Sequence, residues 1–250
     1  MIRWSKGFWM SMGMFCAIPL PFKSWDEDSQ HLVLPTLPLV GVVVGGIWAV
    51  GAWLISLINL HQQLAAALIV LLPHLMVGFI HLDGYMDTCD AVLSRRPLAE
   101  RRRILKDSHT GAFAVIMLAM LLMLEFASVT AILDRGGSLW LCLPIAVISR
   151  SGAALGLFRL PTISAGFARM FTQQVGRIHW AFVMCWIGLS FAGGWWLAGF
   201  TGIGVLAITA LGFVLALAWA YRALEGVSGD VAGFSLIVGE LCGLMALAIL

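Results

Sequence analysis

The sequence predicts an all-α, polytopic integral membrane protein. Hydrophobic residues make up 61% of its 250 residues, charged residues only 11%, and the mean hydropathy is +0.96. An ordinary soluble domain has about 25% charged residues, so most of this chain is expected to lie in lipid. Since lipid cannot hydrogen-bond the backbone, long apolar segments must cross it as helices. The net charge of +2 gives no reason to expect a nucleic-acid partner.

A segment spans a membrane when it has about 20 mostly apolar residues. By this measure we predict about seven transmembrane helices, at residues 37–60, 62–81, 111–133, 138–158, 178–199, 201–221 and 231–250. Residues 2–22 are apolar but shorter and contain Ser, Gly and Pro, so we expect an N-terminal interfacial or re-entrant helix there. In the first span, Gly41, Gly45 and Gly46 have the spacing of a close helix contact.

Basic residues indicate which connections face the cytoplasm. Residues 1–31, 82–110 and 159–177, together with Arg222, hold 13 of the 15 lysines and arginines, and the alternate connections hold only Arg135. Positive charge concentrates on the cytoplasmic side of membrane proteins. The N-terminus and the three longer connections are therefore predicted to be cytoplasmic.

An acidic motif follows the second predicted span. It reads H-L-D-G-Y-M-D-T-C-D-A, residues 81–91, and places Asp83, Asp87 and Asp90 at i, i+4 and i+7 on one face of a helix. Three like charges beside a membrane repel one another and need a cation to offset them. Oxygen-only ligands favour Mg²⁺ or Mn²⁺ shared with a substrate phosphate. The alternative interpretation is a solvated acidic helix end.

A second motif, L-K-D-S-H-T-G at residues 105–111, closes the same connection after a run of arginines. We predict that residues 82–110 form a cytoplasmic hairpin, broken at Pro97, that brings both motifs to one site. Lysine and arginine beside a metal cluster are what a diphosphate substrate requires, although basic residues here also serve as the ordinary topology signal.

Isolated polar residues elsewhere point to the same face. Arg150 lies within an apolar run, where a charge usually faces a cavity or a partner, and Glu240 inside the last span needs a partner for the same reason. Glu125, inside the third span, also needs a partner but is not assigned to the site. Asp230 opens the last span, where a simple helix cap is the alternative role. His81 and His109 flank the two acidic motifs. The sequence contains no Walker loop, no G-x-G-x-x-G and no H-E-x-x-H.

The two motifs together resemble the cobalamin synthase family, the adenosylcobinamide-GDP ribazoletransferases. H-L-D-G-Y-M-D-T-C-D is followed by L-K-D-S-H-T-G-A-F-A, and an early P-L-P, a P-L-V-G, an S-R at 149–150 and a late S-G-D-V-A-G occur in the family's order. The resemblance implies one Mg²⁺-dependent, membrane-embedded catalytic domain over residues 1–250 in the bacterial inner membrane, with its active site facing the cytoplasm. Such an enzyme joins adenosylcobinamide-GDP to α-ribazole, or to α-ribazole 5′-phosphate, and releases GMP.

The resemblance also implies the site. Asp83, Asp87, Asp90 and Asp107 correspond to the acidic core and are predicted to bind the metal, with Asp87 or Asp107 as the catalytic general base. The predicted substrate-binding residues are His81, Ser94, Lys106, Ser108, His109, Arg150 and Asp230.

Two other functions remain to be weighed. A CDP-alcohol phosphotransferase has D-x-x-D-G-x-x-A-R followed by G-x-x-x-D-x-x-x-D, but here Ala91 follows Asp90 and the second half is missing. A cation transporter would line its path near the midplane, whereas these acids cluster at one cytoplasmic end. The sequence leaves the acceptor's phosphorylation and the oligomeric state, homo-oligomer included, open.

Overall fold

The computed structural model describes residues 2–20, 25–58, 60–163, 167–172 and 174–250. These residues form ten α-helices and two short 3₁₀ helices, with a single isolated bridge between Thr162 and Val227 in place of any sheet. The α-helices are α1 Ile2–Phe15, α2 Leu37–Leu57, α3 Gln62–Met76, α4 Ile80–Leu93, α5 Leu98–Ile104, α6 Ala112–Arg135, α7 Cys142–Arg159, α8 Phe167–Thr172, α9 Arg177–Leu224 and α10 Gly229–Ile249. The all-α prediction is confirmed.

Several of these helices are long and apolar enough to cross a membrane. Among the described residues five qualify: α2, α6, α7 with its preceding 3₁₀ turn, α9 and α10. Their length and composition confirm that the chain is a polytopic membrane protein. Most of the large apolar side chains exposed at the surface belong to these helices, as expected of residues that face lipid.

The longest helix, α9, is a hairpin of two arms. Its 48 residues are interrupted at Ala198 and Gly199, whose backbone angles are not helical. Gly194 and Gly202 lie against each other, so close that a side chain on Gly202 would strike the Gly194 carbonyl. Eight residues of a straight helix would hold these two positions about 12 Å apart, so the chain must reverse between them. The two arms match the predicted spans at 178–199 and 201–221.

Residues 62–81 do not form the single continuous helix that the sequence predicts. The structure instead has the 15-residue α3 and then α4, bent from it by 91°, and only the pair together has the length of a span. Pro73 lies in the last turn of α3, and Gly78 and Phe79 both adopt positive φ, at 60° and 63°. A residue in the left-handed conformation ends a helix, because the N–H groups that follow then bond to the last free carbonyls of that helix. The chain therefore breaks here. The acidic motif therefore lies on a separate helix.

The N-terminal helix α1 packs against the chain rather than standing apart from it. Gly7 lies on Leu32 of the 3₁₀ helix Glu27–Leu32, and Met10 and Met12 are buried. Trp4 lies against Phe182 of α9. An interfacial position in the bilayer stays a prediction, and residues 21 and 22 of the expected segment lie outside the described residues.

The core is built around α10 and α7, which are the most buried of the long helices. On α2, Gly41 and Gly45 let the backbone approach α7. A Cβ on Gly41 would lie 2.8 Å from the Ala146 carbonyl oxygen, and one on Gly45 would lie 2.7 Å from the Leu143 carbonyl oxygen. Gly46, the third member of the predicted small-residue contact, faces open space. α10 in turn packs on α9, α4, α7 and α6. The acidic helix α4 is thus held against the centre of the bundle.

The topology is testable through α6. A reporter fused after Arg96 is expected to read cytoplasmic, and one fused after Arg135 periplasmic, because these positions lie before and at the end of the 24-residue α6. At 1.5 Å per residue that helix is about 36 Å long, enough to cross the hydrocarbon core. Paired alkaline-phosphatase and fluorescent-protein fusions give the measurement. Two reporters on the same side would contradict a spanning α6.

Candidate active site

The acidic helix α4 and the start of α10 are in direct contact. Gly84 of α4 makes this possible, because a Cβ there would lie 2.8 Å from the Cα of Asp230. One turn further into α10, Gly233 lies against the backbone of His81. The contact brings Asp230 to the face of α4 that carries Asp83 and Asp87. A glycine inside an acidic helix is the sequence signal for this close approach.

Three carboxylates form one negatively charged face, which we call the carboxylate face: those of Asp83, Asp87 and Asp230. Asp87 lies close enough to Asp83 and Asp230, and also to Asp90 of the same helix, for their charges to act on it. Asp83 is exposed, Asp87 is half-buried and Asp90 is buried. Within the described part of the chain none of Asp83, Asp87 and Asp230 forms an ion pair. Clustered carboxylates without a counter-charge repel, and a bound cation relieves that repulsion.

The donor chemistry of this face fits Mg²⁺ shared with a substrate. Across the described residues, no three carboxylate, imidazole or thiol groups converge closely enough to hold a metal ion by themselves. Mg²⁺ is commonly bound by only one or two carboxylates, with substrate phosphates and waters completing its shell. Asp83 and Asp87, one helical turn apart, meet that requirement.

Asp90 connects the two predicted motifs. Its carboxylate accepts hydrogen bonds from the backbone N–H groups of Gly111 and Ala114, the second at 3.0 Å. These groups are at the N-terminus of α6, which attracts negative charge. Only glycine fits at position 111, because a Cβ there would collide with the Asp90 carboxylate oxygens. Both oxygens thus hold α6 against α4, and metal binding by Asp90 stays a prediction.

Asp107 contacts residues of its own segment. Its Oδ1 lies 2.7 Å from the His109 ring Nδ1 and accepts the His109 backbone N–H at 3.1 Å, and Arg103 is 3.7 Å from its other oxygen. The His109 hydrogen bonds, with a smaller contribution from the charge of Arg103, hold the pKa of Asp107 below its usual range. Metal binding by Asp107 in a site shared with α4 stays a prediction.

The remaining residues of the second motif are at the surface. Lys106, Ser108 and His109 are all exposed. Ser94 has a different position, because its hydroxyl donates to the Ala91 carbonyl at 2.8 Å and so closes the end of α4. Substrate binding by these four residues stays a prediction. Of the four, Lys106 alone also lines the cavity described next.

A cavity of about 400 Å³ lies beside the carboxylate face. Most of its wall is apolar, contributed by α1, α2, α7, α8 and α10. Among the described residues, the polar members of its wall are His81, Lys106, Arg150, Ser228 and Asp230. Since Asp230 belongs to both, the cavity and the carboxylate face are adjacent.

Arg150 is held at the cavity by a buried ion pair. The side chain is 2% exposed, and its Nη1 donates to Glu240 Oε1 at 2.6 Å and to the Ala146 carbonyl at 3.1 Å. Ser149 donates to the same carboxylate oxygen at 2.8 Å. Glu240 thereby has the partner that a carboxylate inside a span needs. Glu125 likewise lies 3.0 Å from His74.

A connection that the sequence did not reveal joins α5 to the end of α9. Arg102 donates from Nε to the Leu224 carbonyl at 2.9 Å and from Nη2 to the Glu225 carbonyl at 3.0 Å. A positively charged residue at a helix C-terminus satisfies carbonyls that lack partners within the helix. One arginine of the basic run is therefore structural, and no local pattern distinguishes it from its neighbours.

Comparison with known proteins identifies the family. The profile of a family described as cobalamin-5-phosphate synthase matches residues 7–248. An adenosylcobinamide-GDP ribazoletransferase of Clostridium botulinum (strain Alaska E43 / Type E3) is 36% identical over 245 residues, covering 96% of each chain. One of Clostridium perfringens (strain SM101 / Type A) is 32% identical over 98% of each chain. No solved structure matches the chain.

These matches cover nearly the whole chain and nearly the whole of each relative. They favour the first of the three functions considered over a CDP-alcohol phosphotransferase or a cation transporter. The chain is thus an enzyme, a transferase of cobalamin synthesis, and it belongs to the cobalamin-5-phosphate synthase family.

Proposed function

We propose that this chain joins adenosylcobinamide-GDP to α-ribazole, or to α-ribazole 5′-phosphate, and releases GMP in a Mg²⁺-dependent reaction. The substrates follow from the names of its relatives. The observation that carries the proposal is the carboxylate face of Asp83, Asp87 and Asp230 next to a cavity that Lys106 also lines. Phosphoryl transfer from a diphosphate needs this combination of negative metal ligands and positive phosphate ligands.

In the proposed reaction an acceptor hydroxyl oxygen forms a bond to the phosphorus attached to cobinamide. The bond from that phosphorus to the bridging oxygen breaks, and GMP leaves with the bridging oxygen. Asp83 and Asp87 would hold the Mg²⁺, which neutralises charge on the diphosphate when bound. Lys106 at the cavity binds phosphate oxygens and keeps the diphosphate oriented toward the acceptor.

A carboxylate must accept the proton that the hydroxyl loses. Asp107 is a weak candidate, because His109 already occupies its Oδ1 and its pKa lies below the usual range. A lower pKa means a weaker base. Asp87 or Asp230 is better supported, since both lie on the carboxylate face and Asp230 also lines the cavity.

We place this site on the cytoplasmic side of the bacterial inner membrane. The support is the arginine-rich segment that follows α4, since Arg95, Arg96 and Arg103 are all exposed there. Basic residues of this kind stay on the cytoplasmic side of a membrane.

The proposed function is tested with purified protein in detergent. Incubated with adenosylcobinamide-GDP, α-ribazole and Mg²⁺, it is expected to release GMP and form the joined product in equal amounts, quantified by liquid chromatography. Removing Mg²⁺ with EDTA should stop the reaction, and adding Mg²⁺ back should restore it. Parallel reactions with α-ribazole 5′-phosphate show which acceptor gives the higher kcat/KM. Absence of GMP release with both acceptors, from folded protein with Mg²⁺, would contradict the proposal.

A further inference from the structure

The cavity beside the carboxylate face contains two buried nitrogen atoms without hydrogen-bond partners. His81 is 8% exposed and Arg150 is 2% exposed, and both line the cavity. Within the described structure, Nε2 of His81 and Nε of Arg150 make no hydrogen bond. A buried polar group left unpaired costs about 1–3 kcal/mol, so such groups usually have a partner. In a wall that is otherwise mostly apolar, the missing partner is expected to be a ligand.

The guanidinium of Arg150 is fixed in position for this ligand. Its Nη1 is bonded to Glu240, to the Ala146 carbonyl and, at 3.5 Å, to Ser149. These bonds hold one side of the group and leave the Nε–H donor unused. A donor held in place before binding loses little conformational freedom when the ligand arrives. The cavity is therefore preorganised for an acceptor atom on a mostly apolar molecule.

The volume of the cavity limits what it can hold. Its about 400 Å³ is near the lower end of small-molecule sites, which run from about 300 to 1,000 Å³. A corrinoid bearing a nucleotide is far larger than this space, whereas a single nucleoside matches it. A guanine base is a poor match for the buried part of the wall, because His81 and Arg150 are the only buried polar residues among its described members, and guanine has more donors and acceptors than they can pair. A flat, mostly apolar base with one acceptor nitrogen fits the wall.

We infer that this cavity binds the acceptor nucleoside, with its benzimidazole base against His81 and Arg150 and its ribose toward Lys106, Ser228 and Asp230. This inference rests on the proposed function. The ring nitrogen that is not bonded to ribose accepts the hydrogen bond of Arg150 Nε, and a ribose hydroxyl, which can donate or accept, pairs with Nε2 of His81. The ribose hydroxyls then lie beside Asp230, whose charge acts on Asp87. The acceptor is thereby held with its reacting end at the carboxylate face and its base within the bundle.

Filling the cavity provides the test. Ala153 lines it and is 5% exposed, so Ala153→Leu occupies space that the base would take. We expect the KM for α-ribazole to rise about tenfold or more, equivalent to about 1.4 kcal/mol of binding, while the KM for adenosylcobinamide-GDP changes less than about twofold. The matched control is Ala127→Leu on α6, where the alanine is exposed and both KM values should stay as in the wild type.

Binding without turnover gives a second readout. Equilibrium dialysis with α-ribazole alone should show binding to the wild type and to Ala127→Leu, and clear loss in Ala153→Leu. A larger KM for adenosylcobinamide-GDP, or unchanged α-ribazole binding in folded Ala153→Leu, would overturn the inference while GMP release by the wild type still upholds the proposed function. If the wild type releases no GMP, the proposed function itself has failed.

A second variant covers the case in which Ala153→Leu does not fold. Leu157 also lines the cavity, so Leu157→Ala enlarges it. A benzimidazole riboside with bulkier ring substituents should then gain at least about threefold in kcat/KM relative to α-ribazole, compared with the wild type. An unchanged ratio would contradict placement of the base in this cavity.

Discussion

Replacing Asp87 with asparagine is expected to reduce turnover by about 10³-fold or more, while the protein still inserts into the membrane and folds. The substitution keeps the size of the side chain and removes the negative charge that the charges of Asp83, Asp90 and Asp230 repel. A lost metal ligand or proton acceptor costs about 10²–10⁴-fold in rate. Folding should survive, because removing one of four repelling charges relieves strain in the free enzyme. The measurement is GMP release at saturating substrates and Mg²⁺.

The matched control is Asp134→Asn. Asp134 is exposed near the far end of α6, away from the carboxylate face, so turnover should stay within about twofold of the wild type, as for most exposed substitutions. The companion variant Asp83→Asn is expected to raise the Mg²⁺ concentration needed for half-maximal activity. Wild-type turnover in Asp87→Asn would remove this residue from the site. A Mg²⁺ dependence unaltered in Asp83→Asn would remove Asp83 from the metal ligands.

Properties that repeat along the chain were predictable. The apolar lengths gave α2, α6, α7, α10 and the two arms of α9, since crossing lipid constrains length and backbone conformation together. The 3.6-residue period placed Asp83 and Asp87 on one face. Neither result depends on which helices are neighbours.

Properties that depend on distant contacts were not predictable. The bend between α3 and α4 requires left-handed residues at Gly78 and Phe79, and apolar length alone hides such a break. Asp90 lies with the other acids in sequence, yet its oxygens bind backbone groups 21 and 24 residues away. Asp107, chosen for its place in a motif, turns toward His109. A motif predicts which residue types gather, and packing decides which of them face the same space.

Breaking the ion pair between Arg150 and Glu240 is expected to have the largest effect on stability. Arg150→Met leaves the Glu240 carboxylate, itself 4% exposed, without its cation inside the bundle. Removing one partner of a buried pair costs about 3–5 kcal/mol. We expect a marked fall in the apparent unfolding temperature in detergent and in the amount of folded protein in the membrane. A variant as stable as the wild type would show that the pair does not support the fold.

Removing both partners separates structure from binding. The double variant Arg150→Met with Glu240→Met carries no unpaired charge, and replacing a buried pair by apolar side chains of similar size is often neutral. It should therefore recover most of the stability lost in Arg150→Met. If Arg150 Nε binds the acceptor, α-ribazole binding by equilibrium dialysis stays weak in this stable protein, because the donor for the ring nitrogen of the base has been removed. Wild-type α-ribazole binding in the stabilised double variant would instead confine Arg150 to a structural role.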